Sequence, residues 1–282
     1  MITFTDFASA RSWIDNQFRT SAMDVRADKW QGKNVSKVPE MAMKELLNIS
    51  FQIGLTHRLH ESLVRELNPN LHWADVHFDE RVGGEPLNPG ESWKIWPWGH
   101  SADKFRVHGG QYDHTYMERF WPKFAGSTPD GRLTDMPVAA TDRNPRKGIR
   151  FEYGDLNDLV QHLHKDPTSR QAYLPIWFPE DGTCNGRRPC TLGYHFIMRH
   201  GFFHHTYYIR SCDFVRHWAD DCYLAVRLHW WVLDQLRKLD PVWKEIKPGL
   251  FTMHIVSLHM FINDWLKRYG QKSSSIQTHS VR

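Results

Sequence analysis

One thiol and the arginines around it carry the chemistry that this sequence could do. Cys190 follows Arg187-Arg188-Pro189, the run Arg210-Ser211-Cys212-Asp213 comes next, and Asp220 and Asp221 lie a little beyond. A thiol beside guanidinium groups loses its proton below the usual value of about 8.5, and the resulting thiolate is a nucleophile. The same guanidinium groups suit a phosphate. These residue types point to covalent attack on a phosphorylated substrate. A plainer reading is also open, because cysteine is among the most buried residue types and usually only packs.

Bringing such separated residues together takes a hairpin and a helix. Tyr194, Phe196 and Met198 alternate with Gly193, His195 and Ile197, which predicts a strand. Arg199-His200-Gly201 predicts a turn, and Thr206 to Ile209 a β-rich return that ends in Arg210-Ser211-Cys212-Asp213. After Ala219 the period changes. Leu224, Leu228, Trp231 and Val232 recur at helical spacing, with Asp220 and Asp221 at the N-terminal end, where acidic side chains suit the helix dipole. This arrangement gathers Cys190, Arg210, Ser211 and Asp220 in one region.

Pro189-Cys190, Arg210-Ser211-Cys212-Asp213 and Asp220 resemble the thymidylate synthase family, which includes the deoxycytidylate hydroxymethylases. In that family Pro-Cys precedes a strand, Arg-Ser-x-Asp ends the next, and Asn or Asp opens a helix. DPTSRQAYLPIW (Asp166 to Trp177) resembles its Asp-Pro-x-Ser-Arg-Arg segment, and PGLFTMHIVSLHMF (Pro248 to Phe261) its Pro-Gly-x-Phe…His-x-Tyr segment. The likeness is ordered over the second half of the chain and loose over the first. It implies an α+β fold: a mixed β-sheet flanked by helices, with one sheet face forming a homodimer interface. It also implies a single catalytic domain over residues 1–282.

The resemblance further implies a reaction. Cys190 adds to C6 of a pyrimidine nucleotide, and C5 takes the methylene of 5,10-methylenetetrahydrofolate. A base network removes the C5 proton, and Cys190 is eliminated at the end. Water added to the methylene gives a hydroxymethyl product; hydride from the folate gives a methyl product. Arg210 and Ser211, with Arg170 from a partner chain, would bind the phosphate, although Gln171 replaces the family's next arginine. Tyr116 would serve proton removal, since its hydroxyl both donates and accepts. Asp75 falls nearest by spacing to the family's relay glutamate and Glu80 competes with it; both also read as charged helix surface. His259 would contact the sugar, with Phe261 in place of a tyrosine. Asp213 would hold the pterin, and Trp98, in the aromatic run SWKIWPW, would stack on it or simply pack.

Asp220 would read the base. A carboxylate accepts from the cytosine amine and, when protonated, donates to N3. Family members acting on cytosine nucleotides carry Asp there, and thymidylate synthases carry Asn. The favoured substrate is therefore dCMP and the favoured product its 5-hydroxymethyl derivative. An N-cap role for Asp220, a dUMP or CMP substrate, and a nucleotide-binding module without turnover stay open.

Composition sets bounds. The chain has 282 residues, 40% hydrophobic and 24% charged, which suits a globular domain. A net charge of +4 fits a small anionic substrate and does not argue for nucleic acid. No apolar run is long enough for a membrane span, and no secretory signal is evident. Cysteines 184, 190, 212 and 222 lack Cys-x-x-Cys spacing, so a reduced, cytoplasmic protein without a metal site is expected. Of 18 histidines none forms a zinc-protease motif, and the 13 tryptophans read mainly as packing.

Elsewhere the pattern predicts a helix over Phe7 to Phe18, a strand over Leu46 to Leu55, a helix over Arg58 to Leu67 and a short helix over Leu156 to Leu163. Residues 126–150 read as a long surface loop and 271–282 as a flexible polar tail.

Overall fold

The computed structural model describes residues 1–30, 33–99, 103–107, 110–122, 154–182 and 186–270. Cys184, the loop expected at 126–150 and the tail at 271–282 lie outside the described residues.

The hairpin forms where the turn residues require it. Strand β7 (Thr191–Arg199) returns as β8 (Phe202–Asp213) through His200 and Gly201, which have φ of 51° and 77°. Two successive positive φ angles match a two-residue turn to the twist of its strands. β8 then feeds helix α7 (Trp218–Leu239), which leads to β9 (Lys247–Phe261), paired parallel to β8. Parallel neighbours need such a crossover. α7 is buried on more than one side, from Cys222 through Val226 and on to Leu236, as befits a helix packed centrally rather than at the surface.

The seven-stranded sheet is mixed, in the order β1-β5-β9-β8-β7-β6, with β2 also on β5. Here β1 is Ile2–Phe4, β2 Met23–Val25, β5 Met43–Gly54 and β6 Tyr173–Pro175; a separate small pair is β3 (Lys29–Trp30) with β4 (Lys33–Asn34). The helices that flank the sheet and build the site are α1 (Phe7–Thr20), α2 (His60–Leu67), α3 (Leu71–Val82), α4 (Ser92–Ile95), α5 (Tyr116–Phe120), α6 (Leu156–Lys165) and α8 (Ile262–Tyr269). Phe51, Phe196, Phe203, Phe251 and Met253 of the sheet pack with Phe7, Ile14, Leu228 and Val232 of α1 and α7 in one core. The opposite sheet face leaves Leu47 (50%) and Val256 (48%) exposed. On it Tyr208 stacks on His254, which is hydrogen-bonded to Ser50 at 2.7 Å. No helix of the described residues is long and apolar enough to cross a membrane.

The sheet is kinked on its way to the site. In β5, β9 and β8 the core-facing side chains are first Phe51 and Ile53, Met253 and Ile255, Tyr207 and Ile209. Nearer the site they are Leu46, Leu258 with Met260, and Cys212. The alternation slips by one in three neighbouring strands at one level. The ladder there passes over Asn48, Val256 and Arg210, and Asn48 has φ of 54°, a left-handed conformation that Asn tolerates. Because a slip by one exchanges the faces, Cys212 turns inward; Asp213 lies level with His259 in the unchanged register.

Candidate active site

Cys190 is half-buried at the entrance to β7. Arg210, from the adjacent strand, clamps its loop. The guanidinium donates to the carbonyls of Pro189 (2.8 Å) and Arg188 (3.1 Å), and the Arg210 backbone N–H donates to the Cys190 carbonyl (2.9 Å). Burial pushes the Cys190 thiol up, and Arg210 and Arg187 offset this only in part. The expectation of a depressed thiol is thus corrected for the chain by itself: the arginines are present, but desolvation outweighs them.

Tyr116 opens α5, capped by Thr115, whose hydroxyl accepts from the Glu118 N–H while Glu118 accepts from the Thr115 N–H at 2.8 Å. Burial pushes the Glu118 carboxyl up to about 7. Thr191, next to Cys190, lies with its hydroxyl 3.3 Å from the Tyr116 oxygen and 2.9 Å from that of Tyr207. Burial also drives the Tyr116 hydroxyl well above its usual value, with Cys190 and Asp221 adding to it and Arg81 opposing.

The two α3 carboxylates named from the sequence are engaged by neighbouring elements. Asp75 accepts from Tyr223 (2.6 Å) and pairs with Arg227, both on α7. Glu80 accepts from the backbone N–H and the hydroxyl of Ser92, and so caps α4. The α3 side chains that meet Tyr116 are His77, edge-on at 6.4 Å, and Arg81, whose guanidinium lies 4.2 Å from the ring centre. Arg81 donates to His77 Nε2 (2.9 Å), so His77 Nδ1 carries the proton and donates to Ser92 (3.0 Å), whose hydroxyl donates to Glu80. Burial, aided by Arg81, keeps His77 well below its usual range and neutral. Their spacing of four residues, which puts two side chains on one helix face, was the available signal.

Asp220 is likewise engaged by a neighbouring element. Both its oxygens are taken by Asn70, from the backbone N–H (2.9 Å) and the side-chain amide (2.8 Å), which ties α7 to the start of α3. Its neighbour Asp221 is the carboxyl among the site groups. It accepts from the Cys212 thiol at 3.4 Å and acts electrostatically on Cys190 and Tyr116. Burial raises it to about 7, with Arg81 opposing. Asp221 shares a helix face with the buried Leu224, Ala225 and Leu228, whereas Asp220 shares one with Tyr223 and Arg227.

Asp213 and Trp98 are brought together by a residue the sequence did not single out. Asp213 pairs with Arg216 (2.7 Å), whose guanidinium lies 5.4 Å from the Trp98 ring and 4.8 Å from that of Phe261 and also reaches Asp264 (2.6 Å). Trp96 stacks on His217 at 5.9 Å, and burial lowers His217 to about 4. Trp93, Trp96 and Trp98 each have a buried indole nitrogen with no hydrogen-bond partner. His259 faces Asp213 on one side and Glu45 on the other in the sheet, half-buried. Ser211 lies in β8 opposite Ser257. Arg170 is exposed in the turn before β6, its carbonyl 3.0 Å from His195 Nε2.

The arrangement is that of an α+β protein with a thiol, a tyrosine and a carboxyl converging at strand ends beside an aromatic wall. The family model described as "Thymidylate synthase" matches residues 87–267, well over half of the sequence, and the chain belongs to the thymidylate synthase family. The chain is 30% identical over 107 residues to a putative thymidylate synthase of Methanosarcina barkeri, covering 38% of this chain and 46% of that protein. It is 27% identical over 114 residues to one from Methanosarcina acetivorans, covering 40% and 49%. The chain therefore spans about half the length of the curated relatives it matches. In fold it is similar to the thermostable thymidylate synthase A from Bacillus subtilis, with a TM-score of 0.61, 14% identity, and coverage of 95% of this chain and 85% of that one.

Proposed function

We propose that the chain transfers a one-carbon unit to C5 of dCMP, giving 5-hydroxymethyl-dCMP. The observation that carries this reading is the half-buried Asp221, in electrostatic reach of Cys190 and Tyr116, with its carboxyl raised to about 7. Near neutrality it presents one donor, for the cytosine N3, and one acceptor, for the exocyclic amine. Arg210, Ser211 and, from a second chain across the exposed sheet face, Arg170 bind the phosphate. Arg210 and Arg187 offset part of the burial of Cys190, and its sulfur, as thiolate, adds to C6. Tyr116 takes the C5 proton, and His259 holds the sugar.

The residues present also fit a folate. Trp96 and Trp98 supply ring faces, the three unpartnered indole N–H groups supply donors, and Asp213 with Arg216 supplies a polar edge. Bound there, 5,10-methylenetetrahydrofolate would supply the methylene that is transferred.

A second reading is favoured by the same carboxyl. A protonated Asp221 can instead donate to the uracil O4 and accept from its N3–H, which would make dUMP the substrate, as the relatives' names suggest.

The deciding experiment is tritium release from [5-³H]dCMP and [5-³H]dUMP with methylenetetrahydrofolate, followed by mass analysis of the product. Release from dCMP with a hydroxymethyl product, lost in Cys190→Ala, is expected. Release from dUMP alone overturns the cytosine reading, and none from either overturns the reaction.

A further inference from the structure

Arg81 is a buried cation without a counter-ion in contact. It is 5% exposed, and its Nε has no partner. One terminal nitrogen donates to the neutral His77, and among the described residues no carboxylate lies within ion-pairing distance. Burial without a pair is costly unless the charge is used. The chain through His77 and Ser92 to Glu80 fixes the guanidinium in orientation, with the compensating carboxylate two residues removed along the hydrogen bonds. What the guanidinium covers is the ring of Tyr116, at 4.2 Å. A cation on a ring face stabilises a phenolate more than a phenol, because the ring then carries part of a full negative charge.

We propose that Arg81 is a positioning residue that favours the negatively charged form of Tyr116 as it acts on the substrate. This rests on the reaction proposed above. In the step served, the C5–H bond breaks and its proton passes to the phenolate oxygen, which has earlier released its own proton to water. The C5–H electron pair forms the double bond to the transferred methylene as the methylene's bond to its donor nitrogen breaks. The groups around Tyr116 are Arg81 and His77 from α3, His114 just before α5, Cys190 and Thr191 at the start of β7, Tyr207 of β8 and Asp221 of α7. Cys190 as thiolate and Asp221 as carboxylate oppose a phenolate, the two histidines are neutral, and Arg81 is the cation in contact with the ring.

The test places 3,5-difluorotyrosine at position 116, because fluorination brings phenol ionisation down into an accessible range. Its ¹⁹F signal is titrated without nucleotide in the wild-type background, in Arg81→Met and in Arg81→Lys. The expected midpoint rises by at least about one pH unit, a tenfold change in ionisation, in Arg81→Met, and by less than half of that in Arg81→Lys. In tritium release with unmodified tyrosine, Arg81→Met is expected to lower kcat at least about tenfold while the nucleotide KM stays within about threefold. An unchanged midpoint in both variants overturns the role of Arg81, as does wild-type tritium release by Arg81→Met. A wild-type protein that releases no tritium counts against the reaction instead, while the ¹⁹F midpoint still decides what Arg81 does to Tyr116.

Discussion

At the scale of single residues, the carboxyl proposed to read the base is a matter of one position. Asp220 and Asp221 are neighbours, and neighbours on a helix point about 100° apart. Asp220→Asn is expected to leave the preference between dCMP and dUMP unchanged. Asp221→Asn is expected to reverse it toward dUMP by about tenfold or more, since an amide left facing a mispaired edge strands a buried polar group. The pH dependence has a definite sign. As pH rises through about 7, Asp221 loses its proton. The carboxylate keeps one contact with either base, the cytosine amine or the uracil N3–H, and loses its donor to the cytosine N3 or the uracil O4, so kcat/KM with either nucleotide falls by about tenfold between pH 6 and 8 relative to Asp221→Asn. A pH profile identical to that of Asp221→Asn would remove Asp221 from base reading. That Cys190, Arg210 and Tyr116 come together could be read, because each belongs to a motif of fixed local spacing. The choices among Asp75, Glu80, His77 and Arg81 were not. They depend on which face of α3 meets α5 and which meets α7, and that is decided by packing between elements far apart in sequence.

At the scale of elements, the contact between β8 and α7 contains two histidines with no polar company. His205 and His229 are fully buried, none of their ring nitrogens has a hydrogen-bond partner, and His205 stacks on Phe196 at 4.4 Å. Burial lowers His229 to about 3 and His205 well below its usual value. In the unfolded chain each takes a proton near pH 6.5, which the folded chain does not, so between about 6.5 and 3 the unfolded state binds more protons and stability falls as pH falls. His229→Phe, which suits this aromatic cluster, should therefore be less acid-labile than wild type. Relative to their difference at pH 8, the gain at pH 5 is about 2 kcal/mol in denaturant unfolding; parallel pH curves would show that His229 is not the group that titrates. The hairpin, the start of α7 and the α1 and α2 helices could be read from alternation, turn residues and helical spacing. The expected Phe7 to Phe18 helix runs to Thr20, and the expected Leu46 to Leu55 strand begins at Met43. The kink through Asn48, Val256 and Arg210 could not be read, because it is a property of three strands in register and each alone shows only an ordinary irregularity.

At the scale of the whole molecule, the crossover from β8 through α7 to β9 sets the ends of two parallel strands side by side, and Asp213, His259 and the helix start meet there. The other sheet face carries Leu47, Val256, Tyr208 and His254 at or near the surface. As the proposed interface between two chains, it makes Val256→Arg a test of assembly. Sedimentation is expected to give a dimer for the wild type and a monomer for the variant, with phosphate affinity weakened as in Arg170→Ala; a variant that sediments like wild type and keeps its affinity would put the shared site elsewhere. The same exposed face has a consequence for how the protein must be handled and how it behaves in a cell. A site completed by a second copy obeys mass action. Diluting the protein below its dimer dissociation constant would lower activity per molecule without unfolding anything, so output would rise more steeply than abundance as the chain accumulates, and a small change in expression would act as a threshold.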